Sequence, residues 1–152
     1  MALLVTGGTG FIGSHTCLLL LERGYEIYVI DSLINSSSKS LCKVKEILIN
    51  KGIDITGKLH FKKCDLRDSN KVIKIFREAL NRKDPISGVI HFAGLKTITE
   101  SIIAPLDYWN SNLVGTLTLL KIMEEYNCNI LIFSSSATVY KPKLNKILNE
   151  NS

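Results

Sequence analysis

The chain has 152 residues, 45% of them hydrophobic and 22% charged, with a formal net charge of +5. That length suits one domain, and that composition excludes wholesale disorder. No apolar run reaches the ~18 residues of a membrane span, and Met1–Val5 lacks the basic start and cleavage site of a signal peptide.

In chain order, Ala2–Thr6 is a short apolar run that reads as a buried strand. The spacing predicts a helix over Phe11–Arg23, stopped at Gly24, then a second strand over Glu26–Ile30 ending at Asp31. Asn35–Ser38 reads as a polar loop, Leu41–Ile49 as a helix closed near Gly52, and Leu59–Cys64 as a third strand. Ser69 is the expected cap of a helix to about Arg82, with Val72, Ile73, Phe76 and Leu80 on one face. Ser87–Phe92 reads as a fourth strand, Leu106–Tyr126 as one long helix, and Ile130–Ser134 as a fifth strand. From Lys141 the sequence reads as a frayed or weakly helical polar tail. Strands alternating with helices imply an α/β fold, a Rossmann-like doubly wound parallel sheet of about five strands.

Cys17, Cys42, Cys64 and Cys128 show no CxxC pair and no histidine at ligand spacing. Neither a metal site nor a disulfide framework is expected, and reduced thiols in a cytoplasmic protein are. The scattered lysines read as solvated faces with no nucleic acid or membrane as partner, although a mild positive field favours anionic ligands.

The strongest local signal is Gly7-Gly8-Thr9-Gly10-Phe11-Ile12-Gly13, set between the first strand and the first helix. Glycine permits a tight turn and lets backbone approach a pyrophosphate, which then rests on the helix N-terminus. Asp31 ends the second strand about 18 residues beyond Gly13, near the usual ~20. A carboxylate there can accept from ribose hydroxyls and would repel a 2′-phosphate, which favours NAD over NADP. Asp65, at the end of the third strand, could sit beside adenine or be a loop or capping residue.

The run Thr6–His15 resembles the extended short-chain dehydrogenase/reductase family. Three further runs are similar to the UDP-glucose 4-epimerases within it: His91-Phe92-Ala93-Gly94-Leu95-Lys96; Glu100-Ser101 with Pro105 and Tyr108; and Ser134-Ser135-Ser136-Ala137-Thr138-Val139-Tyr140. The likeness extends to about Tyr140, so residues 1–140 are expected to form an incomplete NAD-binding domain and 141–152 its tail.

The resemblance implies that Gly7, Gly10, Phe11, Ile12 and Gly13 hold the diphosphate, and that Asp31, Asn35 and Ser36 meet the adenosine ribose and phosphate. It implies Asp65 and Leu66 beside adenine, and Phe92, Ala93, Gly94 and Lys96 along the nicotinamide half. Asn112 is expected on the helix behind the cofactor, and Ser136 matches the family's catalytic serine, at the sugar 4-oxygen. Without the resemblance Ser136 reads as part of a serine-rich loop, and Asn112 and Gly115 as poor helix residues or sites of close packing.

The implied reaction is an NAD-dependent redox inversion at C4 that interconverts UDP-glucose and UDP-galactose. Its base is the tyrosine of a Tyr-x-x-x-Lys pair. Four residues after Tyr25, Tyr28, Tyr108, Tyr126 and Tyr140 stand Val29, Ser32, Asn112, Ile130 and Leu144, and none is lysine. The sequence therefore reads as a truncated domain, without the sugar-binding lobe and inactive alone. The alternatives are a non-catalytic NAD-binding module and a fragment of another sugar-nucleotide epimerase or dehydratase. A homo-oligomer through the Leu106–Tyr126 helix is a further expectation of the resemblance.

Overall fold

The computed structural model describes residues 1–136, 139–140 and 149. Ala137, Thr138 and most of the expected tail lie outside the described residues. Strands β1 (Ala2–Thr6), β2 (Glu26–Asp31), β3 (Leu59–Lys63), β4 (Ile86–His91) and β5 (Leu131–Phe133) form one parallel sheet in the order β3-β2-β1-β4-β5. Thr6 lies opposite Ile30 on one side and His91 on the other.

Helices cover both faces. Helices α1 (Phe11–Glu22) and α2 (Lys39–Asn50) bury Cys17, Leu21, Val44 and Leu48 against Val5, Ile27 and Val29. On the opposite face α3 (Ser69–Asn81) packs Val72 and Phe76 with Leu4, Tyr28 and Ile30. Short helices α4 (Ile98–Ile103) and α5 (Pro105–Trp109) lead through a π-helical turn at Asn110–Val114 into α6 (Gly115–Glu125), which adds Leu119, Ile122 and Met123 to that core. Strand residues 27–30 are all buried because successive side chains enter opposite layers, which is why β2 reads as a continuous apolar run.

The chain builds outward from β1 to β3, then returns to lay β4 and β5 on the other side. The strand order therefore reverses between β1 and β4, and a crevice opens at their carboxyl ends.

Several boundaries differ from expectation. Asp68, not Ser69, caps α3, accepting a hydrogen bond from Lys71 N at 3.1 Å. Leu80 is exposed, because Val72, Ile75, Phe76 and Ala79 already fill the inward stripe at helical spacing. The expected helix Leu106–Tyr126 runs helically from Pro105 to Glu125, opened by Pro105, with a π turn at Asn110–Val114 set within it. Helix α4 was not expected; Tyr108 Oη fastens it by accepting from Thr97 N at 3.1 Å and donating to Glu100 at 3.0 Å.

Four helices end alike. After α1, Gly24 N bonds Leu21 O and Tyr25 N bonds Leu20 O, and the same paired bonds close α2 at Gly52, α3 at Lys83 and α6 at Asn127. Lys83 (φ 63°) and Asn127 (φ 55°) adopt the left-handed conformation without being glycine.

Candidate functional site

The crevice at the β1–β4 reversal is a cleft of ≈ 330 Å³. Its floor is the turn from β1 to α1. Gly7 has φ +66°, and a Cβ there would stand 2.7 Å from Ala93 N, so only glycine lets this turn press against the chain leaving β4. A Cβ on Gly13 would meet Gly7 O at 2.2 Å, so the first turn of α1 also requires its glycine. No side chain caps α1, which leaves its first-turn N–H groups to the cleft lined by Phe11, Ile12 and Gly13.

Asp31 forms one side wall. It is buried, and its carboxylate accepts from Thr9 N (3.1 Å), Leu33 N (2.9 Å) and Ser36 Oγ (2.8 Å). The Thr9 hydroxyl donates to Ser36 Oγ at 2.8 Å, and Ser40 Oγ donates to Thr9 O at 2.9 Å. The network ties the α1 loop to the segment before α2. A carboxylate has about four acceptor positions, so three are engaged by the chain and one is left.

Asp65 also lines the cleft, but Arg67 grips it through Nε (3.0 Å) and Nη2 (2.6 Å). That guanidinium holds the Asp65 carboxyl below the usual carboxylate range. Cys64 lines the same wall, and burial pushes its thiol up to about 11, which disfavours the thiolate at neutral pH. Burial likewise pushes Cys17, behind the loop, up to about 12.

The opposite wall is the segment after β4. Phe92, Ala93, Gly94 and Lys96 line the cleft with Leu95 between them. Asn112 does not line it. From the π turn its Oδ1 accepts from Leu95 N at 2.7 Å and its Nδ2 donates to Leu95 O at 3.0 Å. A Cβ on Gly115 would lie 3.2 Å from Leu66 Cβ, so this position is one of close packing.

All the other residues expected at the cofactor, from Gly7 to Lys96, line this one cleft. Ser136 is exposed and stands outside the lining, which Ser134 reaches instead. Ser134 N bonds His91 O at 3.1 Å, continuing the β4–β5 ladder to the carboxyl end of the sheet. Ser32, Ile34 and Ser111 also line the cleft and carry no sequence signal of their own. Among the described residues no His, Cys, Asp and Glu group could hold a metal ion, and no helix is long and apolar enough to cross a membrane.

A glycine turn at the reversal of a parallel sheet, with a carboxylate at the end of the second strand, defines a Rossmann-type dinucleotide-binding domain. The model of the GDP-mannose 4,6 dehydratase family matches residues 4–151, and the chain belongs to that family. Within it the likeness is to the N-terminal part of the UDP-glucose 4-epimerases. The Bacillus subtilis UDP-glucose 4-epimerase is 51% identical over 141 residues, covering 92% of this chain and 38% of that protein. UDP-glucose 4-epimerase 2 of Arabidopsis thaliana is 50% identical over 139 residues, 91% of this chain and 37% of that protein. Among solved structures, the Stenotrophomonas maltophila epimerase with bound NAD and formylated UDP-arabinopyranose superposes with a TM-score of 0.85 at 35% identity, over 100% of this chain and 42% of that one. The Bifidobacterium longum epimerase with NAD+ and UDP gives 0.84 at 41% identity, over 99% of this chain and 42% of that one. The chain thus spans about two fifths of the length of these relatives.

Proposed function

We propose that the chain is the NAD-binding part of a UDP-glucose 4-epimerase. The observation that carries this is the cleft itself: a Cβ-intolerant glycine turn, an uncapped helix start and a buried Asp31 converge on one crevice at the sheet reversal. The relatives named as binding NAD support the cofactor.

In this reading Phe11, Ile12 and Gly13 present backbone N–H groups to the diphosphate at the positive end of α1, while Gly7 and Gly10, whose own N–H groups bond Ile30 O and Gly7 O, shape the turn that holds it. The remaining acceptor position of Asp31 takes a ribose hydroxyl, with Asn35 and Ser36 beside it. Asp65 and Leu66 border adenine; Phe92, Ala93, Gly94 and Lys96 border the nicotinamide half, backed by Asn112. NAD, when bound, supplies the hydride chemistry at C4 of a UDP-sugar. Ser136 is the hydroxyl proposed to hold the sugar 4-oxygen. Residues 1–140 are the proposed domain, in a reducing cytoplasm that suits its free thiols.

These 152 residues contain no Tyr-x-x-x-Lys, so we expect the chain by itself to bind NAD without interconverting UDP-glucose and UDP-galactose. Calorimetric titration with NAD and an epimerase assay on the same preparation test both halves. No heat on titration defeats the cofactor reading; turnover comparable to a whole epimerase defeats the expected inactivity. Asp31→Asn should weaken NAD at least tenfold and narrow its lead over NADP, because a charge-assisted bond is worth about 1.5–3 kcal/mol. Equal loss for both dinucleotides would remove Asp31 from the ribose.

A further inference from the structure

His91 is 1% exposed, at the end of β4 behind the cleft, and both of its ring nitrogens are hydrogen-bonded. Nδ1 lies 2.6 Å from Thr6 Oγ1 and Nε2 lies 2.9 Å from Thr116 Oγ1. The outer partners fix where the protons are. The Thr116 hydroxyl stands 2.6 Å from Asn112 O, a carbonyl that only accepts, so its one proton points there. Thr116 Oγ1 can then only accept from His91, and Nε2 carries the ring proton. Nδ1 is left with its lone pair, to which the Thr6 hydroxyl donates. Thr6 Oγ1 in turn accepts from Ala93 N at 3.2 Å.

The bonds therefore run in one direction: Ala93 N–H to Thr6, Thr6 to His91, His91 to Thr116, Thr116 to the Asn112 carbonyl. The Asn112 side chain then closes on both polar groups of the Leu95 peptide. Both ends of the relay are in the cleft wall, at residues 93 and 95. Each hydroxyl has one proton, so reversing any member unpairs another in a buried or half-buried place. An imidazolium would aim a second N–H at Thr6 and leave the Thr6 hydroxyl proton without its acceptor. Burial, with Lys96 as the lesser cause, lowers the His91 pKa to about 4, consistent with a neutral ring.

We infer that neutral His91, protonated on Nε2, is a positioning residue that sets the 92–95 wall of the cleft against β1 and the π turn. A ring that merely filled space would fix neither tautomer nor direction. The consequence for cofactor affinity rests on the NAD reading above; the relay itself does not.

The test is imidazole 15N spectroscopy and amide exchange on the full chain, with NAD titration alongside. At neutral pH Nε2 should appear protonated and Nδ1 unprotonated. In His91→Phe and Thr116→Val, exchange at Ala93 and Leu95 should quicken and NAD affinity fall, each by roughly tenfold for about one lost hydrogen bond. Amides of β2 should keep their rates, and Thr116→Ser should behave as the parent chain. An Nδ1-protonated ring, an imidazolium, or unchanged exchange at Ala93 and Leu95 overturns the assignment. If His91→Phe does not fold, the Thr116 pair decides. A parent chain that takes up no NAD defeats the cofactor reading alone, since tautomer and exchange still judge the relay.

Discussion

Gly13 and His91 bracket the cleft at the scale of single residues. A methyl group at position 13 would overlap Gly7 O, with no flexible side chain to yield. Gly13→Ala should therefore cost about 1–3 kcal/mol by overpacking and weaken NAD further by displacing the turn; urea unfolding and NAD titration measure the two separately. His91 gives a pH dependence of definite sign. Its folded pKa, about 4, lies below the ordinary 6.5, so between those values the unfolded chain binds a proton that the folded chain refuses. Stability should be intact above pH 6.5 and fall as pH drops toward 4, by about 3 kcal/mol in all. Asp54, Asp65 and Asp68, whose pKa values are lowered, begin to lose their contribution about a unit above the ordinary carboxylate value of 3.8, so they add to the fall only at the acid end of that window. Equilibrium unfolding at stepped pH checks this, and His91→Phe should flatten the slope.

Among the elements, two helix closures are legible in the sequence and two are not. Gly24 and Gly52 mark the closures of α1 and α2 in the sequence, because a left-handed C′ residue is usually glycine. Lys83 and Asn127 perform the same closure without that signal. Lys83→Gly should relieve the strain of a Cβ-bearing residue at φ 63° and raise stability by about 1 kcal/mol, read as a higher thermal midpoint. A midpoint that falls would mean the lysine stem contributes packing there. The π turn within the expected Leu106–Tyr126 helix was not legible. Its hydrophobic spacing is continuous, and the π turn answers to distant partners: the Leu95 peptide gripped by Asn112, and Leu66 pressed on Gly115.

At the scale of the whole molecule, one surface is unlike the rest. Ile98, Ile102, Ile103, Leu106 and Trp109 on α4 and α5 are 63–80% exposed, and Ile132 and Phe133 on edge strand β5 are more than half exposed. Such a patch beside a strand edge that is unpaired among the described residues favours association. We expect the isolated chain to form oligomers that grow with concentration in light scattering, and Leu106→Asp with Trp109→Ser to reduce them without weakening NAD. A chain that stays monomeric at high concentration would count against this surface as an interface.

The strand–helix alternation, the glycine turn, the carboxylate at Asp31 and the family can be read from the residues alone, because each is written in residues a few positions apart. β1, β2 and the α1 loop could be read for the same reason: burial on both faces makes a strand continuously apolar, and a tight turn demands glycine locally. It took the folded chain to show that Asn112 clamps Leu95 while standing outside the cleft, that Ser134 lines it, and that Thr6, His91 and Thr116 stand in one hydrogen-bonded row. Thr6 and His91 lie on neighbouring strands 85 residues apart and Thr116 on α6, and no local spacing records which of them the folded core brings together.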